Sequence, residues 1–276
     1  MSTSLPAQPV RDLDRDTTPQ PRALKARRVI IRVVYLLVSL LTFSMATGIV
    51  ELLTGHIPNG PFGFGAGAST AWKLLSLGGY IVLAWTAGRS VPAAQWVLVG
   101  QATWLVADLV APQDPTAAVP GTIFQYAATT LIFLGPWLVL APERREIVHL
   151  RARPDRVALA VMIAVVVIAI VWAHHNAALV MPTIDEQSAE FRFDMVGLAV
   201  VLGSVGVFAA LRPRGARWPL GCCAAACIYA GILSLVTATT DLANPGRAGA
   251  LLLLASGVLL AWRARFTLDA VNARSA

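Results

Sequence analysis

Apolar blocks of 17 to 24 residues recur along the chain between short polar connectors. That spacing leaves few folds open, because about 20 helical residues cross the roughly 30 Å of a bilayer's hydrocarbon. Eight such blocks can be read, at about 30–53, 72–88, 94–111, 121–141, 157–175, 194–211, 218–240 and 247–263. The second and third are short and form a tight pair, so a re-entrant pair is the main competitor to a count of eight. The blocks are continuously apolar and do not alternate, which argues against strands. Inside lipid the backbone must satisfy its own hydrogen bonds, and a helix does so within one segment. Composition agrees: 57% of residues are hydrophobic and 13% charged, against about a quarter charged in ordinary soluble domains. The expected fold is all-α, a polytopic transmembrane helical bundle of about eight spans.

The net charge of +7 would suit a nucleic-acid partner if it were spread over one soluble face. Its distribution points elsewhere. Nineteen of the 22 basic residues flank one set of block ends, from Arg11 to Arg32, at Arg89, from Arg144 to Arg156, from Arg212 to Arg217 and from Arg263 to Arg274. Lys73, Arg192 and Arg247 fall on the other side. This is the positive-inside pattern, so both termini are expected in the cytoplasm of a plasma-membrane protein, and nucleic acid is not an expected partner. The first apolar block is longer than a signal-peptide core of about 7–15 residues, and follows a long tail, so it reads as an uncleaved anchor. Twenty arginines against two lysines, with abundant alanine, suggest a bacterial genome of high GC content.

Four segments follow. Residues 1–28 read as a disordered cytoplasmic tail, rich in Pro, Ser, Thr and Asp. Residues 29–145 and 146–266 form a first and a second four-helix membrane half, and 267–276 a cytoplasmic C-terminal tail. Landmarks recur about 124 residues apart: Pro58 and Pro182, Arg89 with Trp96 and Arg212 with Trp218, and Pro120-Gly121 with Trp137 and Pro245-Gly246 with Trp262. An even number of spans per half would make these parallel repeats. Gly203, Gly206, Ala209 and Ala210 form a small-residue stripe, and Ser44, Thr47, Gly48 and Glu51 share a face of the first block. Such faces suit close helix approach, within the chain or in a homo- or hetero-oligomer. Pro136 should bend the fourth span.

Ionisable residues within a bilayer mark function more often than elsewhere. None lies at the midpoint of a block. Glu51, Asp108, His174, His175, Asp194 and Asp241 instead lie near block ends that face outward, with His56, Asp114, Asp185, Glu186 and Glu190 in outward loops. These six form a candidate outer polar cluster, for which the plainer reading is a set of interfacial caps. Adjacent helical residues point about 100° apart, so His174 and His175 cannot both face the bundle axis. Metal-binding helices use i, i+4 pairs instead. The equal spacing of Glu51 from Pro58 and His175 from Pro182 makes His175 the histidine expected nearer Glu51.

Other motifs are weaker. Gly63, Gly65 and Gly67 lack the strand and helix that a nucleotide loop needs. Cys222, Cys223 and Cys227 read as small packing residues in a reducing compartment. The loop PERREIVHLRARPDR, with His149, reads as an orientation signal that anionic lipid can also contact. No cofactor or metal is specified, and beyond the lipid bilayer no partner is named. Two functions compete. One is a non-catalytic small transporter or membrane partner protein. The other is a membrane-embedded enzyme whose outward Glu/Asp/His site acts on a lipid-like or exported substrate. The topology predicts that export-dependent reporters fused after Asp114 and Asn244 are active, and those after Arg151 and Ala276 silent. An active C-terminal fusion contradicts it.

Overall fold

The computed structural model describes residues 22–44, 71, 75, 78–110, 119–147, 154–180, 186–211, 217–237 and 245–272. Of residues 42–44, 172–180, 186–195, 237 and 266–272 only the backbone is described. Among the described residues there is no strand. The helices are α1 (Arg22–Ser44), α2 (helical residues 78–85), α3 (Val91–Val110), α4 (Val119–Leu140), α5 (Arg156–Val180), α6 (Glu186–Leu211), α7 (Arg217–Thr237) and α8 (Gly246–Asn272), with a 3₁₀ turn at Pro142–Glu146. The fold is therefore the expected all-α membrane bundle. Among the described residues four helices, Val91–Val110, Val119–Leu140, Arg217–Val236 and Gly246–Arg265, are long and apolar enough to cross a bilayer. The bundle's outer surface is apolar too, with Trp85, Phe124, Leu131 and Ile132 at least 65% exposed, as suits side chains whose solvent is hydrocarbon.

Helices outrun the apolar blocks. α1 starts at Arg22, within the segment assigned to a disordered tail, because Arg, Ala, Leu and Lys are all strong helix formers. α8 likewise continues to Asn272, into the assigned C-terminal tail. Hydrophobicity marks where a helix meets lipid; propensity and capping decide where it stops.

Within the first four helices α1 packs on α4 and α3 on α4; within the last four α5 packs on α8 and α7 on α8. The two sets meet where α3 lies against α6, and where Gly78 of α2 faces Cys222 of α7. α3 serves two cores. Ala93, Ala94 and Val97 join Ile31, Tyr35, Leu83 and Trp137. Trp96 and Ala107 join the core built by α5 to α8.

Small residues set the closest approaches. A Cβ on Gly231 would fall 2.9 Å from the Ala250 carbonyl oxygen, and one on Gly257 2.9 Å from that of Ala224. α7 and α8 thus touch backbone to backbone, the contact that replaces hydrophobic driving force between helices in lipid. The α6 stripe meets α5, Gly203 against Val166 and Gly206 against Met162. That face is occupied within the chain and is not open to another copy. Gly88 is required for a different reason: its φ is +77°, and Ile31 and Trp137 leave a Cβ no room.

Polar ties gather at the end where α1, α3, α5 and α7 begin. Trp137 Nε1 donates to the Gly88 carbonyl at 2.8 Å, and Arg28 pairs with Glu143 at 3.4 Å. In the second set Asp155 holds three helices. Its Oδ1 accepts the Val157 and Ala158 amides, both at 3.1 Å, and caps α5. Its Oδ2 accepts Arg263 Nε of α8 at 3.1 Å. Its own amide donates to the Ala210 carbonyl near the end of α6 at 2.8 Å.

Burial pushes the Asp155 carboxyl up, but the Arg263 hydrogen bond and charge, with the two capping amides, outweigh it and hold its pKa below the usual carboxylate value. A depressed folded-state pKa contributes stability above the unfolded value of about 3.9, lost as pH falls through the folded value. Asp155→Asn keeps a capping oxygen and loses the charge pair, at a cost of about 1–2 kcal/mol; Asp155→Ala loses both and should melt lower still. Melting temperatures in detergent from pH 7 downward check this. The wild-type advantage over Asp155→Asn should shrink in acid, and an advantage that is constant with pH contradicts the assignment.

Candidate functional site

The outer cluster expected from the sequence is described only in part. Glu51 and Asp241 lie outside the described residues, as do His56, Gly63, Gly65, Gly67, Asp114, His149 and Asp185. His174 and His175 of α5 and Asp194 of α6 are described by backbone alone. The pairing of His175 with Glu51 therefore also lies outside the described residues. The helix pairings do place the last turn of α3, with Asp108, at the same end of the bundle as the end of α5 and the start of α6. Asp108 is partly exposed. Helix bounds shift two readings. α5 runs to Val180, so the histidines lie within the helix and not at its tip. α6 begins at Glu186, so Glu186 and Glu190 are helical and Asp194 sits two turns inside.

The best-defined polar constellation lies elsewhere, among the first four helices. Tyr35 of α1 is fully buried, and its hydroxyl donates to the Phe133 carbonyl of α4 at 2.8 Å. Its ring stacks on Tyr80 of α2, with centroids 6.2 Å apart and planes 14° from parallel. Tyr80 also meets the Phe133 ring at 5.6 Å. The Tyr80 hydroxyl accepts Gln101 Nε2 of α3 at 2.9 Å. Residue 101 falls at the middle of the 20-residue α3, at the depth where polar groups are costliest.

The constellation is incompletely satisfied. Gln101 Oε1 and Ser39 Oγ are buried and accept or donate no hydrogen bond among the described residues. A buried polar atom left unpaired costs about 1–3 kcal/mol, so each of these two atoms is by itself a natural contact for a polar guest or water. Ser39 also lines a groove of about 590 Å³ between α1 and α2, with Arg32, Leu36, Ile81, Ala84 and Trp85. Of its side chains Arg32, Ser39 and Trp85 can hydrogen-bond, and the others are apolar. Only Arg32, seven residues from Ser39 toward the start of α1, carries charge.

A search confined to ionisable residues passes over Tyr35, Tyr80 and Gln101. The available signal was a glutamine in the centre of an apolar block, where an amide has no reason to sit unless something binds it. The cysteines lie as packing residues: Cys223 and Cys227 are buried in the larger core and Cys222 is half-buried, all three as free thiols. Among the described residues no three His, Cys, Asp or Glu side chains converge as metal ligands would. No family model matches the chain, and neither a curated protein nor a solved structure matches it.

Proposed function

We propose that this chain is a multi-pass protein of a bacterial plasma membrane with eight spans and both termini cytoplasmic, acting without catalysis as a small transporter or as a membrane partner of other proteins. Orientation is supported by the bundle's own geometry. Arg28 and Arg263 belong to the ties at one end of the bundle, where Arg89, Arg144 and Arg217 also lie in the adjoining turns and helix ends. Two parallel four-helix halves are supported by the recurrence of first-on-fourth and third-on-fourth helix pairing in each set.

Within this reading transport is favoured over partnership by one observation: Gln101, at mid-depth, presents a buried oxygen without a hydrogen-bond partner among the described residues. A neutral amide and hydroxyls suit a small polar solute that is bound weakly enough to leave again. Proteoliposomes holding the purified chain test this by swelling in gradients of glycerol, urea and small amino acids. At least one solute should enter faster than into empty liposomes. Gln101→Leu should slow it by about tenfold, the equivalent of one buried hydrogen bond of about 1.4 kcal/mol. Swelling no faster than in empty liposomes for every solute leaves the partner role and overturns transport.

A further inference from the structure

The groove between α1 and α2 follows from the stack beneath it. Tyr35 and Tyr80 are buried, and their rings hold the two helices apart with centroids at 6.2 Å. The next residue on each helix lies about 100° further round, and these two, Leu36 and Ile81, are 49% and 50% exposed. They form the walls. The floor is made of two small buried residues, Ser39 and Ala84. About 590 Å³ is left between them, open on the side where the helices face hydrocarbon. At the arginine-rich end stand Trp85, 83% exposed, and Arg32, also exposed.

Charge and length together select the occupant. Arg32 is the one charged residue of the lining, and no acidic side chain opposes it. Lys25, two helical turns earlier, falls on the same face of α1 and is exposed. Neither cation pairs with a carboxylate among the described residues, and Glu143 at this end is taken by Arg28. The groove is thus cationic at the level of the headgroups, where a tryptophan such as Trp85 also favours lying, and apolar below. From Arg32 to Ser39 it runs seven residues of α1, about 10 Å at 1.5 Å per residue. A partner helix is about 10–12 Å across and follows the full hydrocarbon depth of roughly 30 Å. A slot that short and closed by a cation fits the upper part of a single acyl chain under an anionic headgroup.

We infer that the α1–α2 groove is a seat for an anionic phospholipid, its phosphate on Arg32 and one acyl chain between Leu36 and Ile81. The inference does not rest on transport. The test places the full chain in bilayers of phosphatidylcholine and phosphatidylglycerol in equal parts, with one of the two brominated in the upper acyl chain. Bromine quenches nearby tryptophan, and the difference between wild type and Trp85→Phe isolates the signal of Trp85. Brominated phosphatidylglycerol should occupy the site about fivefold more than brominated phosphatidylcholine, the equivalent of about 1 kcal/mol for one arginine at the surface. Arg32→Gln should abolish that preference. Arg265→Gln, at the same end but outside the groove, should leave it intact. Leu36→Phe, which narrows the groove without changing charge, should lower quenching by phosphatidylglycerol. Equal quenching by both lipids overturns the inference, since the groove would then hold ordinary boundary lipid. Quenching by neither also overturns it, because a second copy or another protein would then cover Trp85. A preference that Arg32→Gln and Arg265→Gln reduce equally reports general attraction to a basic surface and contradicts the seat, as does full quenching in Leu36→Phe.

Discussion

Asp155 joins more of this bundle than any other polar side chain described. One oxygen finishes the first turn of α5, the other receives Arg263 from α8, and its amide closes on the end of α6. The side chain is 7% exposed, and the pair stands where helices leave hydrocarbon. A charge at that level needs a partner, and here two guanidinium nitrogens of Arg263 donate to Oδ2 while Oδ1 accepts the capping amides, so the charge is paired without being placed in lipid. The first four helices reach the same closure differently, through Arg28 and Glu143 and through Trp137 on the Gly88 carbonyl. The polarity of the ion pair is reversed: the cation comes from the first helix there and from the last helix in the second set.

Between those ties the helices have only packing to hold them. Hydrocarbon is as apolar as a leucine side chain, so burial from lipid brings little of the stabilisation it brings in water. The structure answers with close approach. Gly231 and Gly257 let α7 and α8 meet at the carbonyls of Ala250 and Ala224, and Gly203 and Gly206 admit Val166 and Met162. Exposed leucines, isoleucines, valines and tryptophans then cover the outside, where a soluble protein would carry charge. The buried Tyr35–Tyr80–Gln101 set stands apart from this economy of contacts, which is why it draws a functional reading.

Much of the fold was legible because the bilayer imposes a length and a polarity that any sequence must meet. The apolar blocks anticipate the helices, and the small residues at 203 and 206 anticipate a close helix contact. Whether that contact lies within the chain or between copies was not legible, since a glycine stripe has the same appearance either way. Helix ends were also missed. Arg22 and Val180 lie beyond the apolar blocks, where propensity carries the helix on after hydropathy has fallen. Asp155 could have been found as an N-cap two residues ahead of an apolar run, but its reach to Arg263, 108 residues later, has no local signature. The ionisable outer residues drew attention by their charge; the neutral glutamine at mid-depth carries the better-defined geometry.

The central claim is that each set of four helices closes on itself, first helix to last, at the arginine-rich end. Cysteine cross-linking in native membranes tests it most directly, in a chain whose Cys222, Cys223 and Cys227 are replaced by alanine. Short bis-maleimides should link Arg28→Cys with Glu143→Cys, and Asp155→Cys with Arg263→Cys. The exchanged combinations, positions 28 with 263 and 143 with 155, should link far less. Equal linking of matched and exchanged pairs, or linking of the exchanged pairs alone, would contradict the account.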